Sequence, residues 1–291
     1  MDTKSRLTIG FIGAGTTGTA LAVRLSQRGY QVAGVSSRSL ASAERLAARV
    51  RNGCRVFSKA QDVANIAQLI FITTPDDIIS EVAAEVKWRD KQYVVHCSGA
   101  HSVDILEPAR QKGADVGCFH PLQTFASVDQ AIENIPGSTF AIEAEEPLLV
   151  VLEEMAKALD GNPVILKAGD KVLYHVAAVF ACNYLVTLVK LAADLWQTFN
   201  LSPAQATRAL MPLLRGTLSN IENIGLPGCL TGPITRGDLG TIERHLEALR
   251  KQMPALLDIY KALGQQTVPI ALAKGRIDSK RGEELIALLS K

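Results

Sequence analysis

The pattern of hydrophobic and polar positions changes character at about residue 168. Before that point, short apolar runs of strand length alternate with longer segments that have a helical period. Short β-branched runs separated by helical patterns are typical of a parallel sheet with helices on both faces. From Gly169 onward the strand signals disappear and helical patterns follow one another. We therefore predict an α/β fold: an N-terminal domain at 1–168 with a doubly wound, mostly parallel sheet, and a C-terminal all-α domain at 169–291.

The individual elements follow from the same pattern. Strands are predicted at 7–12, 31–35, 55–57, 69–72, 93–96, 115–119, 139–142 and 163–166. The clearest helices are predicted at 40–51, 147–159, 171–200, 202–220 and 239–263. The longest apolar run, 172–195, is interrupted by His175, Asn183, Lys190 and Asp194, so we expect a buried helix rather than a membrane span, and no membrane partner.

A glycine-rich turn lies between the first strand and the first helix. Its sequence is Gly13-Ala14-Gly15-Thr16-Thr17-Gly18, and a second strand follows at 31–35. In a strand-turn-helix context the first glycine makes the tight turn, the second lets the backbone approach a pyrophosphate, and the third lets helix and strand pack closely. The helix N-terminus then binds the phosphates. We predict a dinucleotide site that includes Gly13, Gly15, Thr16, Thr17 and Gly18.

The end of the second strand indicates which dinucleotide binds. NAD-binding proteins usually carry Asp or Glu there, whereas this chain has Ser37, Arg38 and Ser39. No carboxylate repels a 2′-phosphate at this position, and the arginine and the hydroxyls can bind one, so NADP is favoured. The alternative is that Arg38 only solvates a loop.

Two further loops follow the carboxyl ends of strands. Ligands bind at that edge of an open parallel sheet. The loop residues expected to line the cofactor are Thr73, Thr74, Pro75, Ser98 and Gly99. Ser102, which follows the second of these loops, is as readily explained as a helix cap.

Composition limits the function classes. The 291 residues are 47% hydrophobic with a formal net charge of +2 and no long charged run, so no nucleic-acid partner is indicated. The polar segment before the first predicted strand is too short for a signal peptide. The five scattered cysteines are typical of reduced thiols, so we expect a cytoplasmic protein. His96, Cys97, His101, Cys118 and His120 could gather around zinc, but their spacing matches no known finger, and we predict no metal.

Candidate catalytic residues lie where the helical half begins. Lys171 and His175 are four residues apart and share a helix face. A lysine beside a carbonyl or imine can donate a proton during reduction, and His175 can orient the substrate. The alternative, given equal weight, is that Lys171 is solvated and that His175 is a hydrogen-bonded histidine of the core. His120 is either a substrate-facing donor beyond the sixth strand or the anchor of a proline turn.

Four other residues are candidate substrate contacts, namely Gln123, Asn183, Arg236 and Asp238. Arg236 and Asp238 lie in a break between helices. This break is either a binding loop or an Asp cap with a paired arginine.

Three stretches carry a family resemblance that covers essentially the whole chain: His120–Phe125, Tyr174–Ala178 and Gly232–Asp238. The glycine-turn domain, followed by an all-α half that begins with a lysine helix, resembles the superfamily of 6-phosphogluconate, 3-hydroxyisobutyrate, ketopantoate and pyrroline-5-carboxylate reductases. Within it the chain most resembles Rossmann-like NADP oxidoreductases whose C-terminal half is a domain of unknown function.

The resemblance implies a function and an assembly. In the superfamily a helix lysine with Asn or His one turn further on is catalytic, which implies Lys171 with His175, although several members have Asn at the second position. It also implies a homodimer through the helical halves. We expect an NADPH-dependent reductase of a small carbonyl compound, such as the 2-keto acid ketopantoate, with Lys171 as proton donor. The alternatives are an imine reductase of the pyrroline-5-carboxylate type and a protein that senses NADPH without turnover.

Overall fold

The computed structural model describes residues 7–51 and 53–291. It divides into two compact units, the first ending at Cys182 and the second covering Asn183–Lys291. The first unit contains the sheet, the helices around it and the beginning of the long helical stretch after Gly169. Its end lies beyond residue 168, where strand signals stop in the sequence, because the first turns of that helix pack with the sheet domain. Lys171 and His175 therefore belong to the same unit as the glycine turn.

The first unit is built on one eight-stranded sheet. Its strands are β1 Thr8–Ile12, β2 Gln31–Ser36, β3 Arg55–Phe57, β4 Leu69–Ile72, β5 Tyr93–His96, β6 Asp115–Leu122, β7 Thr139–Ala144 and β8 Asn162–Ile165. Their order is β3-β2-β1-β4-β5-β6-β7-β8, and every neighbouring pair is parallel except β6 with β7. The strand order reverses between β1 and β4, which is where ligands bind in this kind of sheet. The predicted fold class is confirmed.

One strand boundary differs from the prediction. The sequence predicts that β6 ends at Phe119 and that His120 lies in the following loop. In the structure β6 continues to Leu122, and His120 is paired with Ala141 of β7. The antiparallel strand β7 pairs with the backbone of this proline-containing segment, whose sequence alone does not predict a strand.

The helices of the first unit cover both faces of the sheet. They are α1 Thr16–Gln27, α2 Leu40–Arg49, α3 Ala60–Ile66, α4 Asp76–Glu85, α5 Glu107–Arg110, α6 Val128–Asn134 and α7 Leu148–Ala158. The core includes a row of fully buried phenylalanines, Phe11, Phe71, Phe119 and Phe140, with neighbouring ring centroids 5.2, 5.9 and 4.6 Å apart. Each buried ring contributes roughly 2–3 kcal/mol through lost water contact. The row holds β1, β4, β6 and β7 in fixed positions below the loops at their ends.

The helical stretch after Gly169 runs from Asp170 to Phe199. It consists of α8 Asp170–Ala178, a π-helical turn at Val179–Asn183, α9 Tyr184–Trp196 and a short 3₁₀ turn. The remaining helices of the second unit are α10 Pro203–Ile224, α11 Leu239–Gln252, α12 Leu257–Ala273 and α13 Ser279–Leu289. Ser202 caps α10, in a capping box with Gln205. The single helix predicted at 239–263 is wrong: Pro254 ends α11, because the residue before a proline disfavours helical backbone.

The stretch Asp170–Phe199 also corrects the expectation of a buried helix. By length and composition it could cross a membrane, with a mean hydropathy of 1.8 in its most apolar window, and none of that window is buried. That window contains no more than two Asp, Glu, Lys or Arg residues. Large apolar side chains on this stretch are exposed, among them Val172, Leu173, Val176, Val186 and Leu188.

Candidate active site

The glycine turn packs tightly against the end of β4 at two of its three glycines. Gly13 has φ +108°, and a Cβ there would lie 2.6 Å from the carbonyl carbon of Thr73. A Cβ on Gly18 would lie 2.3 Å from Thr73 Oγ1, which itself donates a hydrogen bond of 2.9 Å to the Gly13 carbonyl. Side chains at Gly13 and Gly18 would therefore separate the turn and α1 from β4.

Gly15 differs from the other two because the space around it is open. A Cβ at this position would meet nothing within 4 Å. Gly15 is the N-cap of α1, and no side chain makes a capping hydrogen bond there. Uncapped amides at a helix N-terminus favour anionic groups, and the missing side chain leaves room for one to approach.

A cavity of about 420 Å³ lies beside this turn. Seven residues predicted to bind the cofactor line it: Gly13, Gly15, Ser37, Arg38, Thr73, Thr74 and Pro75. Thr74 Oγ1 is buried without a hydrogen-bond partner, so a bound molecule could satisfy it. Glu81 and Glu85 of α4 also line the cavity and were not predicted, since they read as the solvated face of a helix.

Thr16, Thr17 and Ser39, which were also predicted to bind the cofactor, are not among the residues around the cavity. Thr16 and Thr17 form the first turn of α1. The Ser39 side chain caps α2 by accepting a hydrogen bond of 3.3 Å from the Ser42 amide. Ser37 and Arg38 are thus the residues after β2 that face the cavity.

The loop after β5 is held by the hydroxyl of Ser98. This hydroxyl donates to Asp76 Oδ2 at 2.7 Å and accepts from the amides of Ala100 and His101 at 3.2 and 3.1 Å. The Ser98 amide donates to Nδ1 of the buried His96 at 3.1 Å. The four bonds fix the loop, so that the Ser98 carbonyl and Gly99 have defined positions. Ser102 does not cap the next helix; its hydroxyl donates to Glu143 instead.

Lys171 lies at the beginning of α8 and is buried, with only 1% of its surface exposed. Its Nζ donates a hydrogen bond of 2.7 Å to the Ser98 carbonyl and lies 5.5 Å from the centre of the Tyr174 ring. Cys118 is adjacent: its thiol contacts the same carbonyl at 3.6 Å, and burial raises its pKa to about 11. A buried amine is costly unless hydrogen-bonded, so this arrangement is not that of a solvated lysine.

Two imidazoles lie over Gly99. A Cβ on Gly99 would be 2.7 Å from His120 Nε2 and 3.0 Å from His175 Nδ1. His175 Nδ1 is buried and has no partner, whereas His120 Nδ1 is 2.7 Å from the Tyr174 hydroxyl. Burial, together with the nearby positive charge of Lys171, lowers the pKa of His120 to about 3, so this ring is neutral. The pKa of His96 is also lowered to about 3, chiefly by burial.

The structure thus brings together Ser98, Gly99, His120, Lys171 and His175, all of which the sequence indicates. It adds Tyr174 as a residue that was not predicted to act in the site. The sequence position of Tyr174 could have indicated this role. Tyr174 lies on α8 three residues after Lys171 and next to His175, so its side chain can contact groups near both residues. Among residues 7–51 and 53–291, no group of three His, Cys, Asp or Glu side chains could hold a metal ion.

Of the four candidate substrate contacts, Gln123 belongs to the first unit and the other three belong to the second. The Gln123 side chain accepts from the Thr124 amide at 2.9 Å, and Asn183 is exposed at the end of the π-helical turn. In the second unit, exposed Arg236 lines a cavity of about 440 Å³. Asp238 caps α11 by accepting 3.0 and 2.7 Å hydrogen bonds from Thr241, and these bonds lower its pKa.

The fold and the glycine turn define a dinucleotide-binding protein. The order of the strands, the open approach at Gly15, the uncapped helix and the neighbouring cavity are the features of such a site. Comparison with family models agrees. Residues 2–121 match the Rossmann-like domain and residues 138–267 match the domain of unknown function DUF2520. The chain therefore combines a Rossmann-like domain with a DUF2520 domain.

Solved structures agree with this description. A Bacteroides fragilis protein assigned provisionally as an NADP oxidoreductase is 26% identical, with a TM-score of 0.73 over 91% of this chain and 99% of that one. A Thermotoga maritima protein is 25% identical, with a TM-score of 0.75 over the same shares. A pyrroline-5-carboxylate reductase from Coxiella burnetii, 16% identical, shares the fold, with a TM-score of 0.60 over 98% of this chain and 99% of that one. A search of curated proteins found no match. The chain has the fold of the NADP oxidoreductases.

Proposed function

We propose that the protein is an NADPH-dependent reductase of a small carbonyl compound, with a 2-keto acid such as ketopantoate as one candidate substrate. The observation that carries the proposal is the cluster above β5 and β6. A buried amine, Lys171 Nζ, is held at the Ser98 carbonyl while nitrogen atoms of two imidazoles lie over Gly99. Hydrogen-bond donors gathered at the carboxyl edge of a dinucleotide-binding sheet suit the reduction of a polar double bond.

The cofactor is NADP, held by the glycine turn and the cavity beside it. The α1 amides and the open side of Gly15 receive the pyrophosphate, and Ser37 with Arg38 receives the 2′-phosphate. Thr74, whose hydroxyl lacks a partner, is a further contact. The assignment of the Bacteroides fragilis relative as an NADP oxidoreductase supports this choice. When bound, NADPH supplies the hydride that reduces the substrate.

The chain itself supplies the proton and the orientation. As the carbonyl carbon is reduced, the oxygen gains the π-electron pair and takes a proton from Lys171 Nζ, which gives the alcohol and a neutral amine that solvent reprotonates. His175 and His120 orient the substrate through hydrogen bonds. Gln123, Asn183 and Arg236 are further candidate contacts, and Arg236 is suited to a substrate carboxylate. Asp238 positions the Arg236 loop through its cap on α11.

The second candidate is an imine reductase. The fold shared with the pyrroline-5-carboxylate reductase from Coxiella burnetii supports it. Reduction of an imine needs the same cofactor and a similar cleft, so the two reactions must be separated by assay. A protein that binds NADPH without turnover is the remaining alternative.

Oxidation of NADPH by a panel of compounds tests the proposed function. The panel contains 2-keto acids, including ketopantoate, and cyclic imines, including pyrroline-5-carboxylate. We expect turnover with a keto acid to exceed turnover with every imine. Faster turnover of an imine would favour the second candidate, and tight NADPH binding without oxidation across both sets would favour a sensor.

The active form is a homodimer that buries the apolar face of Asp170–Phe199. Val172, Leu173, Val176, Val186 and Leu188 are exposed in the single chain. Soluble monomers rarely expose apolar patches of this extent. Large apolar side chains of α10 are exposed as well, including Leu213, Leu218 and Ile224, which adds to the surface that a second copy could cover. A membrane is the other occupant consistent with the hydropathy of this stretch.

A further inference from the structure

We propose that Tyr174 is a positioning residue that fixes His120 in the tautomer with its proton on Nε2, so that an N–H donor lies beside Gly99. In consequence the site accepts the oxygen of a carbonyl group better than the nitrogen of a protonated imine. The second statement rests on the proposed function, while the first concerns only the two side chains.

The contact between Tyr174 and His120 is a short, well-oriented pair. The tyrosine hydroxyl lies 2.7 Å from His120 Nδ1, and the two rings meet edge to face at 89° with centroids 5.6 Å apart. A phenol O–H is a stronger donor than a neutral imidazole N–H, and an imidazole nitrogen is a stronger acceptor than a phenol oxygen. The favoured bond therefore runs from the tyrosine hydroxyl to Nδ1, which leaves the proton of the neutral ring on Nε2.

The environment keeps both partners in these forms. Burial raises the pKa of Tyr174, so its hydroxyl retains the proton that it donates. Burial, Lys171 and His175 lower the pKa of His120, so the ring does not become a doubly protonated imidazolium. The Tyr174 ring also lies near Lys171 Nζ, at 5.5 Å from its centre, and so contacts both groups that the proposed reaction uses.

The other ring nitrogen of His120 lies close to Gly99 and to His175. His120 Nε2 would be 2.7 Å from a Cβ on Gly99, and His175 Nδ1 would be 3.0 Å from the same point. His175 Nδ1 is buried with no partner in the protein. Buried polar atoms without partners are rare in folded proteins and are satisfied by a bound molecule where they line a site. Both nitrogens lie beside the Gly99 backbone, so a substrate bound there would pair with both imidazoles.

The fixed tautomer sets the preferred substrate class. A carbonyl oxygen only accepts hydrogen bonds, so it pairs with Nε2–H. A protonated imine nitrogen only donates, so against Nε2–H it would place two donors opposite each other. Sites built for one hydrogen-bonding pattern reject the opposite pattern because a buried group then remains unpaired. Lys171 Nζ, a further hydrogen-bond donor of the cluster, adds to the same preference.

The test combines Tyr174→Phe with nitrogen NMR of the imidazoles. The variant removes the hydroxyl and keeps the ring that packs near Lys171. In ¹⁵N-histidine-labelled protein, protonated and unprotonated ring nitrogens have distinct shifts, and His120→Gln assigns the relevant signals. We expect His120 to carry its proton on Nε2 in the wild type and to become a mixture of tautomers in Tyr174→Phe. We also expect kcat on a keto acid to fall about tenfold with NADPH affinity unchanged.

The chain offers a matched control pair. In the second unit, His245 Nδ1 lies 2.8 Å from the Tyr260 hydroxyl, with ring centroids 5.8 Å apart at 83°. Tyr260→Phe removes the same kind of bond outside the proposed site. We expect it to alter the His245 signals while leaving those of His120, and kcat, as in the wild type.

Two results would overturn the positioning role: a proton on Nδ1 of His120 in the wild type, or an unchanged tautomer in Tyr174→Phe. The substrate preference is overturned separately, if the variant shifts the tautomer but loses keto-acid and imine turnover by the same factor. Because the NMR measurement needs no substrate, it supports or overturns the role of Tyr174 even if no carbonyl compound is reduced, in which case the proposed function fails by itself.

Discussion

The substitution Gly15→Ala separates an effect on pyrophosphate binding from an effect on the stability of the fold. Gly15 has φ −78° and ψ −171°, a backbone conformation that alanine adopts without strain. Apart from its own residue and the two neighbours in the chain, the added methyl group would have no protein atom within 4 Å. Alanine restricts the unfolded chain more than glycine does, which stabilises the folded protein by roughly 0.4–1 kcal/mol. Alanine at an N-cap destabilises it by a similar amount. The free energy of unfolding should therefore change by less than about 1 kcal/mol.

The effect on cofactor binding should be much larger. The methyl group would occupy the open space through which the phosphates reach the uncapped amides of α1. A lost hydrogen bond to a charged group costs about 1.5–3 kcal/mol. Since about 1.4 kcal/mol corresponds to a tenfold change in Kd, losing one such bond weakens NADPH binding by roughly 10- to 150-fold.

Calorimetric titration with NADPH, together with thermal unfolding, measures both quantities. Gly216→Ala is the control, because Gly216 lies inside α10 and a Cβ there would also meet nothing within 4 Å. In a helix interior alanine is about 1 kcal/mol better than glycine, so this variant should be more stable and bind NADPH normally. Wild-type NADPH affinity in Gly15→Ala would refute the placement of the phosphates at this turn.

Three further predictions follow from the site and the surface. Arg38→Ala should weaken NADPH at least about tenfold and leave NADH unchanged in parallel titrations; equal losses for both would contradict the 2′-phosphate contact. His96 and His120 have pKa values lowered to about 3, below the value near 6.5 of the unfolded chain, so the free energy of unfolding should fall as the pH drops from about 6.5 towards 3. The free energy of unfolding should fall by up to about 1.4 kcal/mol per pH unit for each histidine. An unchanged urea midpoint between about pH 7 and 5 would exclude this pH dependence. Val186→Glu should convert the dimer to a monomer in sedimentation analysis; a wild-type monomer, or binding of wild type to lipid vesicles, would contradict the dimer face.

The sheet and the cofactor turn could be predicted from the sequence because local chemistry determines them. The strands at 55–57, 69–72 and 93–96 have the predicted limits, and Gly13, Gly15 and Gly18 have separate steric environments. A strand buried on both faces is recognisable as a continuous apolar run, and a glycine turn requires few long-range contacts.

Other features depend on partners that are distant in the chain. His120 belongs to β6 only because β7 pairs with it, and the hydroxyl of Tyr174 reaches a histidine 54 residues earlier in the sequence. Nor does the residue pattern show that Lys171 is buried rather than solvated, because burial depends on how α8 packs on the loop after β5. Sequence spacing describes faces of one element and not contacts between elements.

The exposed apolar stretch illustrates a further limit. A helical run with four interruptions predicts a buried helix, but in the single chain no part of the apolar window of Asp170–Phe199 is buried. Hydrophobic periodicity indicates that a face avoids water, and it does not indicate whether the same chain, a second copy or a membrane covers it.

Turnover of Lys171→Met tests the account most directly. Methionine keeps the length and the apolar stem of the side chain but cannot donate a proton, and a buried, uncharged replacement should not destabilise the fold. On the keto acid that the wild type reduces, we predict that kcat falls by about 10²–10⁴-fold while the Kd for NADPH stays unchanged. A kcat within about threefold of the wild-type value would contradict the assignment of Lys171 as proton donor, because general acid catalysis contributes at least about a hundredfold.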